Sequence, residues 1–202
     1  EDLRGRSLAI DANVYLHEFT ALIRTREGRP FTDSKGRVTS HLIGLAFRTT
    51  RLLTDYHIRT VFVFDGKPPR LKEAEIEKRR KQRKKAEEEW KEALTAKDYA
   101  TAFSKAVMTG RLASDMIQDA KHLLDLLGIP WIQAPSEAEA QAAHLALRGD
   151  VWASSSKDYD SLLFGTPRLV RYLTITGTEF LPSKGRARKL EPEIIELEAF
   201  LS

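Results

Sequence analysis

The sequence contains no cysteine. Disulfides, thiolate zinc sites and cysteine nucleophiles are thereby excluded. No apolar run approaches the ~20 residues of a membrane span, and no secretory leader is expected. A membrane partner is not expected, and the expected setting is intracellular. Histidine is scarce: His17, His41, His57, His122 and His144 are scattered and share no ligand spacing. An imidazole metal centre is not expected either. What is there is charge, at 31% of 202 residues, beside 42% hydrophobic residues, enough for a real core. The net charge of +4 is small, so the placement of the basic residues carries the information. The chain opens at Glu1 in mid-approach to a strand and reads as a fragment.

Strand and helix patterns alternate along the chain. Ser7 to Ile10 is a short strand that stops on Asp11, followed by a helical pattern through Val14, Leu16, Phe19, Leu22 and Ile23. Arg24 to Arg37 is a turn-rich loop, after which Thr39 or Ser40 can cap a second helix. Ile58 to Phe64 has the near-continuous apolar character of a buried parallel strand and stops on Asp65. Helical patterns follow over Leu71–Thr95, Asp98–Met108 and Ser114–Leu127, then a strand at Ile129–Gln133 and an alanine-rich helix from Ser136 to Arg148. Asp150–Ser154 and Arg168–Leu173 are the fourth and fifth strands, and Glu179–Leu181 a sixth. Ser183–Lys189 reads as a basic loop, and Glu191-Pro192 as the start of a last helix. The alternation predicts an α/β fold with a central, mostly parallel sheet flanked by helices.

In such sheets ligands bind beyond the carboxyl ends of the strands. Asp11, Asp65, Asp158 and Asp160 follow strand ends, and Glu137 and Glu139 follow the third strand closely. Carboxylates clustered in this way suit hard divalent cations, magnesium or manganese rather than zinc. Two such ions about 4 Å apart would clamp the attacking and leaving oxygens of a phosphoryl displacement. Asp158 and Asp160, if extended, would face the same side; the bland alternative is a solvated turn. Ser136 and Glu139 also have the spacing of a capping box, and on a regular helix Glu137 and Glu139 would point about 200° apart. Residues 70–111 interrupt the α/β alternation immediately after Asp65, with a basic middle from Lys78 to Lys85. Lys72 and Arg79, about two helical turns apart, share a face and suit phosphate contacts. The alternative is a solvated helix laced with pairs such as Glu77–Lys81.

Five blocks together, in this order, resemble the flap endonuclease family: Ala9-Ile10-Asp11-Ala12, Asp33 to Leu42 (DSKGRVTSHL), Val63 to Pro69 (VFDGKPP), Ala134 to Ala140 (APSEAEA) and Asp158 to Gly165 (DYDSLLFG). The last block looks like the archaeal branch. The resemblance implies a PIN-like 5′-nuclease core over residues 1–202, with 70–111 as an inserted helical arch. It implies a magnesium-dependent enzyme (two Mg2+ ions, with Mn2+ able to substitute) that cuts branched or flapped DNA near a single-strand/double-strand junction in replication and repair. On that basis Asp11, Asp65, Glu137, Glu139, Asp158 and Asp160 match the metal carboxylates, and Lys72 and Arg79 match arch residues that contact the scissile phosphate. Arg24 and Arg48 fall where further DNA contacts lie, and Thr39 and Ser40 in the segment associated with a short 3′ flap. His17 stands where many relatives have a tyrosine that stacks on a base. The family's seventh aspartate, its helix-two-turn-helix element and its sliding-clamp-binding tail have no counterpart in this sequence. Both ends are therefore expected to be truncated. An archaeal-type source implies a cytoplasmic location, a eukaryotic one a nuclear location.

Overall fold

The computed structural model describes residues 2–25, 27–69, 72–109, 112–173, 178–181, 186–189 and 191–201. Its centre is β1 (Ser7–Asp11), paired in parallel on one side with β2 (Arg59–Phe64) and on the other with β4 (Ala153–Ser155). The six-stranded sheet has the order β3-β2-β1-β4-β5-β8, with β3 at Trp131–Gln133, β5 at Arg168–Arg171 and β8 at Glu193–Glu196. Strand order therefore reverses beside β1, and the crevice at a reversal is where an open α/β sheet binds its ligands.

Side-chain alternation along β1 and β2 decides which helices cover which face. Leu8, Ile10, Phe62 and Phe64 project into one core, with Leu16 and Phe19 of α1 (Ala12–Leu22), Leu45 and Leu52 of α2 (Ser40–Thr54), and Ala120 and Leu124 of α5 (Ser114–Leu126). Ala9 and Val63 face the opposite way, onto Ala138, Ala142 and Leu145 of α6 (Ala138–Leu147). Small residues on both partners let α6 lie close against the sheet, which sets the first turn of α6 beside the ends of β1 and β2.

The insertion between β2 and β3 is a pair of packed helices, α3 (Glu73–Thr95) and α4 (Tyr99–Met108). Ala86 and Ala93 of α3 are buried, as are Ala102 and Ala106 of α4, whereas residues 77–82 of α3 are exposed. Lys105 pairs with Glu89 at 2.7 Å, and the Trp90 indole donates to the Glu27 carbonyl at 3.3 Å. The second half of α3 is thus packed against α4, and residues 77–82 of its first half are exposed.

Several expectations need correction. Fourth-strand pairing begins at Ala153 and ends at Ser155, and Asp160 opens the short helix α7 (Asp160–Leu163), so Asp158 and Asp160 are not neighbours on one extended strand. Part of the supposed basic loop is β7 (Arg186–Lys189), which pairs antiparallel with β6 (Thr178–Leu181) as a separate hairpin; residues 182–185 lie outside the described residues. The supposed start of a last helix is β8, antiparallel to β5, and the helix α8 (Leu197–Leu201) begins after it. Cross-strand ion pairs, Arg168–Glu196 at 3.6 Å and Arg171–Glu193 at 3.1 Å, favour the strand over the helix that Glu191-Pro192 announces. The loop from Arg24 to Arg37 is tied by two isolated bridges, Arg24–Pro30 and Thr32–Val38.

Candidate active site

At the carboxyl ends of β1, β2 and β4 the structure has a cleft of about 420 Å³, lined by Asp11, Asp65, Glu137, Glu139, Asp158, Asp160, Lys72 and Arg79. The acids come from separate elements, and a different local device holds several of them in place. Asp11 caps α1, its Oδ1 accepting from the Val14 N–H at 2.9 Å. Asp65 Oδ1 accepts from the Ala138 N–H at 2.8 Å, which links the end of β2 to the start of α6. The Asn13 side chain accepts from the Asp65 N–H at 3.3 Å, and Asn13 also lines the cleft. Gly66 follows, at a spot where a Cβ would run into the Ala134 and Pro135 backbone, so the chain after Asp65 can approach that segment because no side chain is there.

Glu137 is the N-cap residue of α6 and Glu139 lies in its first turn. The capping box does not form: Ser136 Oγ donates to the Lys67 carbonyl at 3.2 Å, and Glu139 Oε1 accepts from Ser156 Oγ at 2.6 Å. Glu139 is thereby turned towards the β4–α7 loop that carries Asp158. Ser156 Oγ also accepts from the Asp158 N–H at 3.2 Å, so one hydroxyl joins two of the acid-bearing segments. Lys72 Nζ stands 2.5 Å from Glu137 Oε1, a positive charge supplied to the cluster by the foot of the insertion.

Burial, and after it the neighbouring charges, shifts the acidity of these groups. Burial raises the Asp11 carboxyl to about 7, aided by the charges of Asp65 and Glu139 and opposed by the Val14 N–H. Burial raises Asp65 as well, and Glu137 adds to it against the Ala138 N–H. Glu139 is raised by burial and by Asp160 and Asp158, against the Ser156 hydroxyl. Lys72 is raised by its bond to Glu137, with further help from Asp160 and Glu139. Carboxyls forced towards their neutral form beside one another mark a place short of positive charge. An all-oxygen donor set of this kind fits a hard divalent cation such as magnesium or manganese. Among the described residues no three His, Asp or Glu side chains converge tightly enough to hold one ion unaided.

Four other residues of the expected site lie outside the cleft. Arg24 spends its guanidinium on the chain, donating to the Thr20, Ala21 and Gly28 carbonyls at 3.1, 3.0 and 2.9 Å. Arg48 pairs with Glu18 at 3.3 Å and lies over the Tyr15 and Phe19 rings at 4.6 and 4.7 Å. Ser40 is fully buried and bonds the Ile23 carbonyl and the Phe31 N–H; Thr39 precedes α2 without a side-chain cap bond. These residues hold α1, α2 and the intervening loop together. Along α3, Arg80, Lys81, Arg83 and Lys84 line a second recess of about 1030 Å³. Asn13 and Ser156 lack any signal in the sequence, because their partners come from other elements.

Comparison with known proteins agrees with this geometry. Residues 1–86 match the XPG N-terminal domain and residues 128–202 the XPG I-region. An α/β sheet with an acidic cleft at its strand ends and these two regions define an XPG-type nuclease core. The chain is 52% identical over 199 residues to flap endonuclease 1 of Staphylothermus marinus, an alignment taking in 98% of this chain and 57% of that protein. It is 53% identical over 201 residues to flap endonuclease 1 of Pyrococcus abyssi, covering 100% of this chain and 58% of the relative. Among solved structures, flap endonuclease-1 from Methanococcus jannaschii matches with a TM-score of 0.67 at 41% identity, over 98% of this chain and 58% of that one. The catalytic core of Rad2 in complex with DNA substrate matches with a TM-score of 0.66 at 27% identity, over 99% and 50% of the two chains. The chain belongs to the flap endonuclease family, and it spans a little under three fifths of the length of the curated relatives it matches.

Proposed function

We infer that this chain is the catalytic core of a structure-specific 5′ flap endonuclease, which hydrolyses DNA phosphodiester bonds near a single-strand/double-strand junction during replication and repair. The observation that carries this reading is the single cleft in which six strand-end carboxylates meet Lys72 and Arg79 at the foot of a basic helical pair. The residues that would hold two magnesium or manganese ions are Asp11, Asp65, Glu137, Glu139, Asp158 and Asp160. Bound there, divalent cations would supply an activated water and charge stabilisation for the leaving 3′ oxygen.

The chain's own groups do the rest. Lys72 and Arg79 offer cationic donors to the non-bridging oxygens of a phosphate entering the cleft, where charge builds up during in-line displacement. Arg80, Lys81, Arg83 and Lys84 extend positive charge away from the cleft along α3 and would follow the backbone of a single strand. Ser156 and Asn13 hold Glu139 and the Asp65 backbone in place. Branched DNA is the proposed partner, with the sliding clamp as a further partner of a longer chain. No described helix is long and apolar enough to cross a membrane.

The test is cleavage of a labelled 5′-flap DNA by this chain and by a chain of the relatives' length, with and without magnesium, beside Asp158→Asn. Junction cleavage that needs magnesium and disappears in Asp158→Asn in either chain is the expected result. Salt-sensitive DNA binding with no cleavage by either chain would instead make the protein a DNA-binding module with vestigial acids.

A further inference from the structure

Arg171, the last residue of β5, is buried, yet it does not line the acidic cleft. Its guanidinium makes five contacts. Nε and Nη2 donate to the Lys157 carbonyl at 3.1 and 3.0 Å, and Nη1 donates to the Tyr159 hydroxyl at 2.5 Å. Nη2 also reaches the Tyr172 hydroxyl at 2.6 Å, and Nη1 reaches Glu193 Oε2 at 3.1 Å. Its Cζ lies 3.9 Å from the centroid of the Tyr159 ring and 4.3 Å from that of the Tyr172 ring. An arginine has five N–H donors, so none is left over for a phosphate.

The place of these contacts is what gives them meaning. Arg171 holds Lys157 by its carbonyl and Tyr159 by its ring and hydroxyl, and the residue between them is Asp158. Asp160 follows directly. On the other side of the same loop, Lys157 Nζ pairs with Glu18 Oε2 at 3.3 Å, and Glu18 is fixed by Arg48. The β4–α7 loop is therefore clamped on both flanks of its first acid, by groups that do not enter the cleft.

We propose that Arg171 is the positioning residue for the Asp158–Asp160 segment, fixing the loop so that these two carboxylates face the cleft in a cation-ready arrangement. This rests on the reading of the cleft as a divalent-cation site. A lysine cannot replace the arginine, because a point-like ammonium with three donors cannot bond one carbonyl twice and still reach two hydroxyls and a carboxylate.

The experiment is Mn2+ binding to this 202-residue chain, followed by electron paramagnetic resonance of free Mn2+, for the wild type, Arg171→Lys, Tyr159→Ala and Glu193→Gln. Circular dichroism and melting accompany each variant. Outer groups that orient metal ligands change affinity by about tenfold to a hundredfold when removed. Arg171→Lys should weaken Mn2+ by about tenfold or more, Tyr159→Ala should weaken it less, and Glu193→Gln, which removes a charge away from the loop and keeps an acceptor for Arg171, should leave it unchanged. Wild-type affinity in a folded Arg171→Lys would overturn the proposal. Should that variant not fold, Tyr159, which is 44% exposed, decides through Tyr159→Ala: unchanged affinity there overturns it too. A loss of flap-DNA affinity by Arg171→Lys in metal-free buffer, with Mn2+ affinity intact, would make Arg171 a phosphate contact instead. A wild type that takes up no Mn2+ would overturn the metal-site reading itself, and this inference with it.

Discussion

His17 lies on α1, and burial together with Arg83 and Arg79 of the basic helix lowers its imidazole to about 4. An unfolded histidine takes up its proton near 6.5. Between those values the unfolded chain binds more protons than the folded one, so stability rises with pH. It should fall as pH is lowered from about 6.5 towards 4, and His17→Gln should flatten that part of a melting-temperature profile. An NMR titration should find His17 still neutral at pH about 5. Gly66 tests a different kind of residue effect. Its missing Cβ would meet the Ala134 and Pro135 backbone, which cannot yield as a side chain would. Gly66→Ala should cost about 1–3 kcal/mol in urea unfolding, the usual range for overpacking.

At the scale of elements, α3 divides in two. Residues 77–82 are exposed, whereas Ala86 and Ala93 are buried beside α4. Amide exchange over 77–83 should be roughly tenfold or more faster than over 86–95, as protection follows packing. Lys81 and Lys84 face the second recess. Changing both to Gln should lower the slope of log affinity against log salt for flap DNA by about 2, since each phosphate contact contributes about one. This division was partly legible in the sequence: the thin apolar stripe and the basic run from Lys78 to Lys85 mark a projecting helix. The strands ending on Asp11 and Asp65 were legible as well, because a buried parallel strand is a nearly unbroken apolar run and its stop is conspicuous. β8 was not, because Glu-Pro signals a helix start and the ion pairs that favour a strand form only with Arg168 and Arg171 of β5. The intramolecular partners of Arg24 and Arg48 were hidden for the same reason. Nothing local separates a surface arginine from one whose acceptors, such as the Gly28 carbonyl or Glu18, arrive by folding. Whether Glu139 would cap its helix or serve the cleft was equally open until Ser156 supplied the partner.

For the whole molecule, the clustered acids are a cost that a bound cation would relieve. Magnesium or manganese at about a hundred times its dissociation constant should stabilise the fold by about 2.7 kcal/mol, visible as a rise in melting temperature. Asp158→Asn should lose most of that rise while keeping the metal-free melting temperature close to wild type.

The central strand has a consequence for how the chain reaches its fold. Ile10 pairs with Phe62 on one side and with Ser155 on the other, and the second pairing spans most of the sequence. Contacts so distant along the chain close slowly, whereas α3 and α4, which follow one another directly, can fold locally. During synthesis β1 therefore acquires β2 early and waits with its other edge open until β4 has been made. That edge is Leu8-Ala9-Ile10, a short apolar template of unpaired backbone donors and acceptors. A ribosome stalled before residue 153 would release a chain whose open strand edge favours aggregation over any partial function.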